Sequence, residues 1–396
     1  MARFLRYCLI AFALLFTLWC TAAPAWGFTY ENPAEAAFTK THFELVFPQI
    51  SLQGHNNLFS LRDLDLVPDN PDLEKELLAR LEDKNFEAEL NAKLRTGLTI
   101  GRFSLHFTPF TIGSAQMDYG IPKLLLLKTE GDSANHDLGG SKLQVLTGAS
   151  LDFTYGHPIT LTSNSQLGVG VTLRYVQGYG LVKAEVDKGI ISFNKEENQL
   201  DVDVSYRYLG IDDFDNNFQT LFQNPSGTGL LVDLGVAYNY DRLRAGLVLK
   251  NMGVIKWRNL RQGSYSWVEA INEDEFDIDF KEDHTETRLS EYSMSLPLVL
   301  QAQGSYRLWG NLYWHLGMEK GFTDDWGISS QPCYQTGFEW SPRFLRLAGN
   351  ISYQDGNLGY DGLFELRLFF IWLHLHLSWE DDGNGVYGLV MTALHF

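Results

Sequence analysis

His374 and His376 stand two residues apart in the stretch IWLHLHLSWE. On an extended strand that spacing sends both rings off one face, about 7 Å apart. Two imidazoles so placed can share a metal ion when the Glu380 carboxylate, or an acid on a neighbouring strand, completes the set. Polar rings facing a wet interior explain the pair without a metal, and no metal or cofactor is expected. A wider set of charged side chains falls on the same kind of face: Arg102, Arg174, Arg207, Arg244, Lys250, Arg307, Arg346 and Arg367, interspersed with Asp152, Asp201, Asp203, Asp233, Glu319 and Glu365. Charges gathered in a narrow interior are costly unless paired, so one reading is a filled, salt-bridged lumen. The other is a selective path whose basic groups attract anions. His106 and His315, with nearby carboxylates, include the residue types of a hydrolase. Motifs such as GxSxG, HExxH and glycine-rich phosphate loops are missing, however, and no enzyme is expected.

Strands carry these groups. In GLLVDLGVAYNYD the residues Leu230, Val232, Leu234, Val236, Tyr238 and Tyr240 share one face, against Gly229, Asp233, Gly235, Ala237 and Asn239 on the other. Around the histidine pair, Leu373, Leu375, Leu377 and Trp379 oppose His374, His376, Ser378 and Glu380. Both patterns have period two and neither has a helical period. Soluble sandwiches alternate too, but a face rich in glycine and mixed charge set against an aliphatic one fits a polar lumen and a lipid-facing exterior.

The links between strands agree with that assignment. Read back from the C terminus, candidate strands are Gly385–Phe396, Phe370–Trp379, Leu358–Leu368, Phe344–Tyr353, Pro332–Trp340, Leu312–Phe322, Tyr292–Leu308, Leu243–Trp257, Thr228–Tyr240 and Gln199–Tyr208. Four or five more precede them, KLQVLTGASLDFTY, LTIGRFSLHF and FELVF being candidates. Tight links (YDR, LWGN, SPR) alternate with long ones, as in bacterial barrels with short turns inside and long loops outside. The fold expected is therefore an antiparallel transmembrane β-barrel of about fourteen strands, within a range of about 12 to 16. Trp309 and Trp340 fall at the inner boundary, and Trp257 and Trp379 at the outer one.

The ends and the composition fit export. Arg3 and Arg6, the apolar run CLIAFALLFTLW and the small residues of APAWG read as a signal peptide over residues 1–27, leaving a barrel over 28–396. Removing it takes Cys8 and Cys20, so Cys333 alone remains and no internal disulfide can form. The net charge of −18 becomes more negative by two when Arg3 and Arg6 leave, and such a surface repels nucleic acid. The chain stops at Phe396, with Leu394, Val390 and Gly388 behind it, similar to the C-terminal strand signal read by the barrel-assembly machinery.

Two segments stand out from the strand pattern. Within residues 54–96, Leu73, Leu77, Leu78, Leu81, Phe86, Leu90 and Leu94 lie near helical spacing, so Pro71 to Arg95 reads as an amphipathic helical insertion, either a hatch or a packed excursion at the rim. Residues 257–290 read as a long acidic extracellular loop, a solvated charged face by default. Inside it Phe276, Ile278 and Phe280 alternate with Asp277 and Asp279, which extends a hairpin beyond the bilayer.

The segment GTGLLVDLGVAYNYDRLRAGLVLKNMGVIKW, together with ENPA, GIPKLLLL and LGVGVTLRYVQG, resembles a family of outer-membrane barrels of unknown function. That family is grouped loosely with the fatty-acid-transporter-like and PorV-like barrels. The resemblance implies passage of apolar small molecules or a place beside a secretion apparatus. Two functions follow as expectations: a passive transporter or channel for small molecules in the outer membrane of a diderm bacterium, or a structural barrel whose outer loops bind an envelope protein. The partners expected are membrane lipid and the assembly machinery.

Overall fold

The computed structural model describes residues 32–39, 43–58, 79–81, 84–122, 134–194, 199–211, 225–272, 277–368, 371–380 and 385–395. In chain order the strands begin with β1 (Phe43–Asn56), β2 (Phe86–Ile100), β3 (Phe103–Met117), β4 (Ala134–Asp137), β5 (Lys142–Thr162), β6 (Ser165–Asn194) and β7 (Gln199–Ile211). They continue with β8 (Gly227–Tyr240), β9 (Leu243–Trp257), β10 (Leu260–Asn272), β11 (Asp277–Leu289), β12 (Tyr292–Met294) and β13 (Val299–Trp309). The last six are β14 (Leu312–Gly321), β15 (Cys333–Trp340), β16 (Leu345–Gln354), β17 (Asn357–Leu368), β18 (Ile371–Glu380) and β19 (Gly385–His395).

Fourteen of these form a closed antiparallel wall, running β1, β2, β3, β5, β6, β8, β9 and then β13 through β19. The wall closes where β1 pairs with β19, Glu44 opposite His395 and His55 opposite Gly385. Closure removes the two free edges of an open sheet, as a sheet in hydrocarbon requires, and leaves one local break in the ladders, between β9 and the β12–β13 edge. The alternation sorts the side chains as the pattern predicts. Leu230, Leu234, Val236, Leu373, Leu375 and Leu377 are exposed on the outside, whereas Asp233, His374, His376 and Ser378 are buried within.

One end carries the tight turns Gly101–Arg102, Ser163–Asn164, Asp241–Arg242 and Gly310–Asn311, and both termini of the wall. The longer excursions leave from the other end, where, among the described residues, the tight turn Asp355–Gly356 has both residues at positive φ (49° and 89°), the twist-compatible hairpin geometry. In β1 the register shifts between Val46 and Gln49, where Pro48 has no N–H to give the ladder.

β6 is longer than the wall is tall. Its first part, Ser165–Gly178, pairs with β8, and its second, Val182–Asn194, leaves the barrel to pair with β7. β7, β10 and β11 then continue as a projecting sheet, with β4 on the far end of β6.

Five expectations need correcting. Gln199–Tyr208 is not a wall strand but part of β7 in the projecting sheet, and within 257–290 the strands β10 and β11 pair in that sheet, so the segment is not loop throughout, although the hairpin read inside it is present. LTIGRFSLHF is not one strand but the β2–β3 hairpin, turning at Gly101 (φ 58°). Phe86 to Arg95 is strand, not helix. Alternate residues of a strand share one face, so Phe86, Leu90 and Leu94 mimic a helical spacing while Ala88 and Ala92 lie on the same face. Residues 59–78 of that insertion, like residues 1–27 that read as a signal peptide, lie outside the described residues. Finally, Trp257 is fully buried rather than at the outer boundary, while Trp309, Trp340 and Trp379 are exposed on the outer face.

Candidate functional site

The lumen is occupied by the chain's own N-terminal segment. Residues Pro33–Phe38 form a short 3-10 turn capped by Asn32, whose side-chain oxygen accepts the Ala34 N–H at 2.9 Å. The same side chain's Nδ2 donates to the Val236 carbonyl of β8 at 3.1 Å. Asn32, Ala34 and Ala37 are buried. What lets the turn lie this close is a notch of glycines on the lumen face. A Cβ on Gly170 would overlap the Pro33 carbonyl, one on Gly235 would overlap the Asn32 side chain, and one on Gly168 would sit 2.8 Å from the Ala34 oxygen. Glu35 pairs with Arg244 of β9, and that guanidinium stands 6.0 Å from the Phe38 ring centroid.

Above and beside this plug, charges are paired across strands. Arg174 holds Asp233 at 2.6 Å and Asp152 at 3.4 Å, and donates to the Asn251 side-chain oxygen at 3.1 Å. On the opposite wall, Glu339 takes Arg346 at 2.9 Å and His315 at 3.1 Å. Glu365 takes Arg367 at 2.6 Å, His374 at 3.1 Å and Arg346 at 3.8 Å. Asp361 accepts from Gln335 at 2.9 Å and faces His376 at 3.5 Å. These interlocked pairs give the buried charges of the polar lumen their partners, as burial requires.

Farther along the strands, toward the long-loop end, the lumen turns apolar. Leu146, Val176, Leu231, Ile255, Trp257 and Trp326 are members of one buried cluster. Trp326 comes from the link between β14 and β15, which folds inward and is fastened by Asp324 accepting the Ser330 N–H and hydroxyl, each at 2.6 Å. Those two bonds hold the Asp324 carboxyl below the usual carboxylate range. The wall beside this tier is incomplete. β9 pairs with β13 up to Lys250 and with β12 from Ile255, leaving residues 251–254 and 295–298 unpaired with each other, although Met252 to Val254 stay paired with β8. Pro297 cannot donate to a ladder, and Asn251 Nδ2 bonds its carbonyl at 2.9 Å instead. Asn251 (φ 65°) and Gly253 (φ 149°) supply the kink.

The sequence-derived residues divide accordingly. Arg174, Asp233, Arg244, Lys250, Glu319, Arg346, Glu365, Arg367, His374 and His376 are on lumen-facing positions of wall strands, with Glu319 bonded to Gln301. Arg102 is in the β2–β3 turn and exposed, not in the lumen. Arg207 is on the projecting sheet, gripping Asp187 at 2.7 Å, and Asp201 and Asp203 share its strand. Because that pair is exposed, Arg207→Ala is expected to leave both thermal unfolding and permeation unchanged, as heat-modifiable gel migration and bilayer recording would show. Arg307 lies at the short-turn rim near Asp241, at 3.9 Å. The His374 and His376 rings are 6.4 Å apart and edge-on, and among the described residues no cluster suits a metal. Glu380 faces His55 at 3.2 Å rather than the histidine pair. Leu394 pairs with Leu45 and Ile371 at the seam, and Phe396 lies outside the described residues.

Sequence reasoning missed the plug, the inward Trp326 and the buried Trp257. The glycines of β6 and β8 were the available signal: on a lumen face they mark the close approach of another backbone.

Comparison with known proteins follows from this architecture. Among curated proteins none matches the sequence. The chain is similar in structure to a ΔS2S3 mutant of TodX, a monoaromatic hydrocarbon channel, with TM-score 0.51 and 10% identity over 92% of this chain and 93% of that one. It is also similar to the P. putida toluene transporter TodX (TM-score 0.48, 9% identity, 92% and 93% covered) and to the CymD monoaromatic hydrocarbon channel (0.45, 9%, 92% and 90%). At such identities the likeness is one of fold. In sequence, residues 33–363 match a described family from the plug into β17, and the chain belongs to that family of unknown function, DUF5723.

Proposed function

We propose that the protein is a passive outer-membrane channel of a diderm bacterium that admits small apolar molecules, with its N-terminal segment as the plug. One observation carries this reading: the buried apolar tier lies against the stretch where β9 and the β12–β13 edge are not hydrogen-bonded. An apolar solute there has a greasy contact surface and a weak seam toward lipid, whereas the paired charges and the plug below obstruct ions and sugars. The fold shared with a hydrocarbon channel is compatible with such a role.

The test is entry of the apolar dye 1-N-phenylnaphthylamine into cells with an intact lipopolysaccharide leaflet. Cells producing the barrel are expected to take it up several-fold faster than cells lacking it, and equal rates would refute the proposal. The projecting β6–β7–β10–β11 sheet favours a second reading, a barrel that docks an envelope protein. Equal dye entry together with stable co-purification of such a partner would support that reading instead.

A further inference from the structure

Two polar atoms inside the apolar tier have no partner. The indole N–H groups of Trp257 and Trp326 are buried without a hydrogen bond, in side chains 0% and 3% exposed. Both belong to the cluster that includes Leu231, Ile255 and Met294. A buried N–H forfeits the bond it would make to water, so buried indoles ordinarily reach an acceptor. Phenylalanine would fill apolar space at neither site's polar cost. Both rings are also held firmly. Trp257 lies flat against Gly178 and Gly227, and a Cβ on Gly227 would come within 2.8 Å of the ring. Trp326 sits at φ 57°, with Lys183 Nζ 4.6 Å from its ring centroid. Lys183 in turn lies 3.8 Å from Asp325, so the nearby cation already has its counter-charge.

We infer that the tier takes an apolar molecule carrying a neutral oxygen acceptor, such as a ketone, ester or ether, in preference to a bare hydrocarbon or a carboxylate. Two neutral donors set in an apolar surround, beside a balanced ion pair, match that chemistry. The inference deepens the channel reading and rests on it.

Calorimetric binding of acetophenone, of its hydrocarbon isostere α-methylstyrene and of benzoate to the purified full-length protein in micelles provides the test. Wild type is compared with Trp326→Phe and Trp257→Phe, which keep an aromatic ring and remove the donor. Each substitution is expected to weaken acetophenone by about fivefold, the worth of a typical net hydrogen bond. The α-methylstyrene affinity stays unchanged and benzoate does not bind. Comparing variants probe by probe cancels the different partitioning of the probes into water and micelle. Equal responses of the two neutral probes, or tight benzoate binding, would overturn the inference and leave the channel reading standing. Binding of neither neutral probe to folded, heat-modifiable wild type would overturn both. Two variants keep the comparison available if either one folds poorly.

Discussion

Gly170→Leu is expected to turn a nearly silent barrel into one with long, discrete ion-conducting openings. The plug rests on this glycine, whose missing side chain is the space the Pro33 carbonyl uses. A leucine there must expel the Asn32–Phe38 turn or distort β6. The turn is the cheaper part to move, because the wall is tied by ladders on both sides while the turn is tied by the Asn32 bonds and the Glu35–Arg244 pair. The Glu35–Arg244 pair adds only modestly to that hold, because the Arg244 guanidinium is exposed and its attraction is screened. Planar-bilayer recording reads the outcome directly. Unchanged, silent traces from a folded variant would show that the turn does not obstruct the lumen.

Glu365→Ala should cost about 3–5 kcal/mol of stability, the range found when one partner of a buried charge group is removed. Glu365 is 1% exposed and bonds Arg367, His374 and Arg346 from three strands. Its loss strands guanidinium charge in the lumen beside an unbonded imidazole. Glu365→Gln retains an acceptor and should cost less. Urea unfolding from micelles, followed by heat-modifiable migration, measures both. Wild-type stability in the alanine variant would mean that solvent already reaches and screens this network.

Period-two alternation made the barrel readable from the residues alone, because every wall strand sets an aliphatic row against a polar or glycine row. The lumen identity of Arg174, Asp233, Glu365 and the His374–His376 pair came with it. Alternation says nothing about which sheet a strand joins. Gln199–Tyr208 and its Arg207 therefore read as wall and lumen, although β7 leaves the barrel with the second half of β6. Arg102 was misplaced because a two-residue turn interrupts an otherwise continuous alternating run. The helical reading of Phe86 to Arg95 failed because a period of four is contained in a period of two. Trp257 and Trp326 were beyond a local pattern altogether: one depends on glycines of β6 and β8, the other on a loop that folds back into the lumen.

Transfer across a reconstituted membrane tests the channel most directly. Purified protein is placed in vesicles with a lipopolysaccharide outer leaflet, and entry of labelled acetophenone and labelled glucose is followed side by side. Acetophenone entry is expected to rise in proportion to the protein inserted while glucose stays at background. Acetophenone entry indifferent to the protein, or glucose entering equally fast, would contradict a plugged barrel that passes small apolar molecules.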